Sequence, residues 1–202
     1  MLVIGLTGGI ASGKSTVSAY LRELNAPVVD ADAIVREVQQ PGGPVLAAIR
    51  ESFGSEVILP DGSLDRPALG RLIFSDPERR RHLESIVHPA VRERMWAEVE
   101  RHRREGHPAV VLDIPLLLEG GLDRTVDQVW LVYVDRETQR QRLIARDGLS
   151  AEEAEQRIAA QMDLEAKRSR ASLIIDNRGS REETRAQVLR AWQAVLEAGR
   201  AS

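Results

Sequence analysis

Short apolar runs recur along the chain at intervals too long for hairpins. Residues 2–6 (LVIGL), 27–29 (PVV), 109–112 (AVVL), 129–133 (VWLVY) and 173–175 (LII) are rich in Val, Leu and Ile and show little of the polar alternation of a half-exposed strand. Each predicts a strand buried on both faces. The segments between them are helix-compatible. Residues 15–24, for example, set Val17, Tyr20, Leu21 and Leu24 at three- and four-residue spacings, which build one apolar face. Strands alternating with helices predict an α/β fold, a five-stranded parallel sheet covered on both faces. Ligands of such sheets bind beyond the carboxyl ends of the strands, where Asp30, Asp113, Asp135 and Asp176 fall. Position alone leaves each of these carboxylates between a strand-end turn or helix cap and a functional group.

The first run is followed by GGIASGKS, Gly8 to Ser15, which satisfies G-x-x-x-x-G-K-[ST]. A glycine-rich turn aims successive backbone N–H groups into a concavity the size of a phosphate. The next helix points its N-terminal partial charge at the same spot. Lys14 adds a full positive charge near the terminal phosphates, and the Ser15 hydroxyl is a hard oxygen ligand suited to Mg²⁺. The pattern sits between a strand and a helix, as this mechanism requires, and the chain is read as a three-layer α/β/α P-loop NTPase fold.

Two helical blocks interrupt the alternation. In the first, 44–53 reads as a helix started by Pro44 and stopped by Gly54, 60–62 as a turn and 67–74 as a short helix. A long helix begins at 76–77, is interrupted by Pro89 and resumes to about 104. The block is too long for a simple crossover, so a helical acceptor-binding insertion is expected. In the second, Ser150 and Glu153 form a capping box for a helix that carries Arg157 and Gln161. In the preceding helix, Arg136 and Arg140 share one side, while Arg142 and Arg146 share the opposite one. Paired guanidinium groups after a P-loop suit phosphate clamping by a helical lid. One P-loop kinase domain over 1–202 is expected, with a core of about 1–31, 108–135 and 171–202, an insertion of about 32–107 and a lid of about 136–170.

The chain's 202 residues suffice for a real core, and its formal net charge of −3 argues against a nucleic-acid partner. Without cysteine, disulfides and thiolate metal sites are excluded. The apolar start is too short for a membrane span, so no membrane partner is expected and the location is read as cytoplasmic. A monomer is expected, with an oligomer left open. A GTPase is disfavoured: no N-K-x-D run is present, and the D-x-x-G at Asp176 to Gly179 comes too late to serve as a switch. Small-molecule kinases remain, since they need a P-loop, an acceptor-binding insertion and a water-excluding lid.

The blocks TGGIASGKST, VVDADAIVRE, DGSLDRPALGRLIF, IVHPAV, LDIPLLLE, QRLIARDGLS, RIAAQ and IIDNRG closely resemble those of the dephospho-CoA kinase family, in the family's order from Met1 to about Gly179. The resemblance implies ATP-dependent phosphorylation of the ribose 3′-hydroxyl of dephospho-CoA, with Mg²⁺ as cofactor and ATP and dephospho-CoA as the partners. Another small-molecule or nucleoside monophosphate kinase on this scaffold is the alternative. It further implies that Asp32 handles the acceptor hydroxyl, with Lys14, Arg142 and Arg146 completing the catalytic set. ATP binding falls to Gly9, Ile10, Ala11, Ser12, Gly13, Lys14, Ser15, Thr16 and Asn177. Acceptor contacts fall to Asp32, Arg66, His88, Glu119, Arg157 and Gln161. The metal falls to Ser15, with Asp30 acting through a water. Leu118 and Ser172 depart from the family pattern, where phenylalanine and aspartate are common; the second change removes a charge near the adenine side.

Overall fold

The computed structural model describes residues 1–74 and 76–200. The chain divides into two compact units, one made of Met1–Val29 and the chain from Val99 onward, the other of Asp30–Glu98.

The first unit is built on a five-stranded sheet of β1 (Leu2–Gly8), β2 (Val28–Asp30), β3 (Ala109–Asp113), β4 (Gln128–Tyr133) and β5 (Leu173–Asp176), in the order β2-β3-β1-β4-β5. β1 runs parallel to both β3 and β4, and β4 parallel to β5. Ile4, Leu6, Val111, Trp130 and Val132 form one buried face with Val17 and Leu21 of α1 (Lys14–Glu23) and Val188, Trp192 and Val195 of α9 (Arg181–Arg200). On the other face, Leu131 and Tyr133 pack with Leu164 of α8 (Leu164–Arg168). Gly5 also faces that way: a Cβ there would lie 2.6 Å from Leu117. Burial on both faces is why β1, β3 and β4 carry unbroken apolar runs.

The same unit contains α6 (Arg136–Asp147) and α7 (Ala151–Ala159). Asp135 caps α6 by accepting the Thr138 N–H at 2.8 Å, and those bonds hold its carboxyl below the ordinary carboxylate range. The expected capping box of α7 is present in both directions, between Ser150 and Glu153.

The second unit holds α2 (Ala31–Val38), α3 (Pro44–Phe53), α4 (Arg66–Phe74) and most of α5 (Pro77–Arg104). Its own core is Val45, Leu46, Ile49, Phe53, Val57, Leu64, Leu69 and Val87. Asp61 accepts the backbone and hydroxyl donors of Ser63 in the expected turn, and Gly62 (φ 83°) supplies the left-handed residue. One expectation fails here, because α5 runs unbroken through Pro89. Proline at that position removes the N–H that would bond the Ser85 carbonyl but leaves the preceding turns intact. The apolar side of the helix also stays anchored, with Ile86, Val87, Ala90 and Val91 packed in the unit's core.

Candidate nucleotide and phosphate site

The loop after β1 is closed by short local bonds, Ser12 N–H to the Gly9 carbonyl at 3.1 Å and Thr16 N–H to the Gly13 carbonyl at 3.0 Å. α1 starts at Lys14 with no side chain capping its first turn. Backbone donors at that helix end are therefore available to an anion. Gly13 adopts φ 87°, and a Cβ there would meet the Asn177 amide nitrogen at 2.1 Å. Gly13→Ala should lose about 1–2 kcal/mol to the left-handed backbone alone, plus the cost of displacing Asn177. A lowered denaturation midpoint with weakened ATP binding is the expected readout, and wild-type values for both would show that the loop tolerates a side chain there.

Of the four strand-end aspartates, only Asp113 touches the P-loop lysine among the described contacts. It closes β3, is 5% exposed, and accepts from both Lys14 Nζ and the Ser18 hydroxyl. β1 and β3 are adjacent and in register, Leu6 opposite Asp113, which is what carries the carboxylate to the root of the loop. Asp30 instead caps α2 through the Ala33 N–H at 3.0 Å, and Asp176 pairs with Arg178 at 2.6 Å. That pairing holds the Asp176 carboxyl low. Asp113 was one strand-end carboxylate among equals in the sequence; an apolar run ending in Asp is the signal that pointed to it. The Ser15 hydroxyl is exposed in the first turn of α1. A hydroxyl and a carboxylate at the base of a phosphate-binding loop are the hard oxygen donors a divalent cation takes.

The far side of the loop is held by residues from the second helical block. Ile10 is gripped at both ends of its backbone: its N–H donates to Gln161 Oε1 at 2.8 Å and its carbonyl accepts from Gln139 Nε2 at 2.8 Å. Lys167, with no exposed surface, donates to the Gly8 carbonyl at 3.1 Å and pairs with Glu119 at 2.8 Å. Glu119 also accepts the Met162 N–H at 3.2 Å. Asn177 donates to the Ser12 carbonyl at 2.7 Å, while its own carbonyl takes Arg142 Nη2 at 2.8 Å. Thus Glu119, Gln161 and Asn177, expected as acceptor or nucleotide contacts, all bond to the loop or to what holds it. Lys167 and Gln139 carried no signal in the sequence, since a lysine and a glutamine in helical segments read as solvated.

Four arginines lie along α6. Arg136 pairs with Glu155 of α7 at 2.7 Å and Arg140 with Glu137 at 2.8 Å. Arg142 is half-buried against Asn177, and Arg146 and Arg157 both reach Asp147, at 2.7 and 3.2 Å. The two guanidinium groups, Arg146 foremost, hold the Asp147 carboxyl below its ordinary range. At the β4–β5 edge, the Tyr133 ring lies under Arg168 and Arg178, at 5.4 and 5.6 Å. Ser172 supplies a hydroxyl that accepts the Val129 N–H at 3.0 Å, joining β4 to the start of β5. In the other unit, Asp32 is exposed in the first turn of α2, Arg66 is exposed at the start of α4, and His88 is exposed beside Pro89 on α5.

A parallel sheet with β1 between β3 and β4, a P-loop leaving β1, and a lysine held on the neighbouring strand's aspartate define a P-loop kinase scaffold. The chain belongs to the dephospho-CoA kinase family, whose model matches residues 2–183. A dephospho-CoA kinase of Symbiobacterium thermophilum is 66% identical over 195 residues, which are 96% of this chain and 82% of that protein. The solved structure of TT1252 from Thermus thermophilus superposes with a TM-score of 0.83 at 41% identity, over 96% of each chain. That of the dephospho-CoA kinase from Campylobacter jejuni gives 0.76 at 27% identity, over 97% of this chain and 98% of the other. Among the described residues no helix is long and apolar enough to cross a membrane.

Proposed function

We propose that the P-loop of this chain binds ATP and that Asp32, Arg142 and Arg146 direct its terminal phosphoryl group to the ribose 3′-hydroxyl of dephospho-CoA. The products are coenzyme A and ADP, and the step is the last in coenzyme A synthesis. The observation that carries this reading is the Lys14 ammonium held on Asp113 at the root of the loop. Phosphoryl transfer asks little covalent chemistry of a protein and much positioning and charge. The loop's backbone donors not used in its own internal bonds cradle the phosphates, and Lys14 supplies positive charge to the terminal group. Ser15 would hold Mg²⁺, with Asp30 acting through a water, and the ion when bound would screen the phosphate oxygens from one another. Asp32 accepts or orients the acceptor proton, with the hydroxyl attacking in line. Arg66, His88 and Arg157 contact the acceptor. The reaction is placed in the cytoplasm, carried out by a monomer or an oligomer of this chain.

Coupled ADP release separates this from the other kinases of the scaffold: rapid release with dephospho-CoA and almost none with AMP is expected. The reverse preference would replace the acceptor, and no release with either would leave a nucleotide-binding module without turnover.

Arg142 and Arg146 are assigned the transferring phosphoryl group, and Arg136 the link between α6 and α7. Arg142→Ala and Arg146→Ala should each cut kcat roughly 10- to 100-fold, the loss of one charge-assisted contact. Arg136→Ala should stay within a few-fold of wild type. Equal losses in all three variants would remove the distinction between the two faces of α6.

A further inference from the structure

We infer that Lys167 and Gln139 are positioning residues that set the direction of the phosphate-binding N–H groups of the P-loop. The starting observation is the burial of Lys167, which has no exposed surface although its ammonium carries charge. A buried cation needs close partners, and among the described residues Glu119 and the Gly8 carbonyl supply them. The first balances its charge. The second gives it an effect on the loop.

In a planar trans peptide the C=O and the following N–H point in opposite directions. Lys167 holds the Gly8 carbonyl, so the Gly9 N–H is turned away from Lys167. Gln139 holds the Ile10 carbonyl in the same manner, which turns the Ala11 N–H away from Gln139. Gln161 takes the Ile10 N–H between them, at 2.8 Å. Alternate N–H groups are thus directed off the protein side of the loop, the arrangement from which a glycine-rich turn binds phosphate. Gln139 also packs directly on the loop. A Cβ on Gly9 would lie 2.6 Å from Gln139 Nε2 and 3.1 Å from Leu164, so these residues leave no room for a side chain there. Leu164 opens the short helix that also bears Lys167, and Gln139 is in the first turns of α6. The loop's N–H directions are therefore set by residues more than a hundred positions away in sequence.

Single removal of Lys167 would strand Glu119, so stability and loop geometry must be separated. In Lys167→Met with Glu119→Gln, both charges are gone, so no uncompensated buried charge is left to dominate stability. The expected result is a denaturation midpoint close to wild type, an ATP dissociation constant raised about tenfold, and kcat at saturating ATP reduced much less. A near-wild-type midpoint with wild-type ATP affinity would overturn the proposal and leave Lys167 as an ion-pair partner only. Should the double variant not fold, Gln139→Met tests the same idea at the Ile10 carbonyl, with raised ATP dissociation expected and unchanged affinity overturning it. The inference rests on the loop being the ATP site. A wild-type titration without ATP binding would overturn that reading, whereas wild-type binding matched by the variants would overturn only this one.

Discussion

Asp32→Asn is expected to lower kcat with dephospho-CoA by roughly 10²- to 10⁴-fold and to leave ATP binding nearly unchanged. The magnitude is that of a lost general base. Asparagine keeps the size of the side chain and one of its acceptor oxygens, so the change removes basicity and charge with little else. Asp32 is an exposed residue in the first turn of α2, outside the core of its unit, so the variant should unfold as wild type does. The P-loop, Lys14 and Asp113 belong to the other unit and are untouched, which is why the ATP dissociation constant should hold. Titration of ATP alongside single-turnover kinetics with dephospho-CoA measures both. A kcat within a few-fold of wild type would make Asp32 a helix-start residue without a chemical task, and attention would pass to Asp113, the strand-end carboxylate already at the loop.

Lys14→Ala is expected to cost about 10²- to 10³-fold in kcat/KM, the range for losing one preorganised donor aimed at developing charge. Two effects contribute. The phosphates lose a point charge, and Asp113, 5% exposed, loses the cation beside it while keeping the Ser18 hydroxyl. The second effect predicts a lower denaturation midpoint as well. Lys14→Arg should recover part of the stability but little activity, because a planar guanidinium presents its charge as a fork rather than as a compact ammonium. Steady-state kinetics and thermal denaturation on the same preparations separate the two terms. Activity near wild type in Lys14→Ala would remove the lysine from phosphoryl transfer.

The local features of the chain were legible in its sequence because each depends on neighbours a few positions apart. The apolar runs that became β1, β3 and β4 are continuous because both faces of the sheet are covered there. Pro44 and Gly54 bound α3, and the Ser150–Glu153 box starts α7, since caps satisfy backbone groups within one turn. The P-loop pattern was equally local, and several ordered blocks pointed to the family. The tertiary structure alone decided which polar groups act together. Lys167 meets Gly8 across 159 positions, Asn177 meets Ser12 across 165, and Asp113 meets Lys14 across 99. No periodicity carries such pairings. They arise when β-strands distant in sequence become neighbours and their carboxyl ends, with the helices that follow, converge on one loop. The same reason explains Pro89: a proline reads locally as a break, but packing on either side of it keeps α5 in one piece. Residue type and spacing determined what chemistry the chain could host, and the burial of charge around the loop determined which side chains hold it in place.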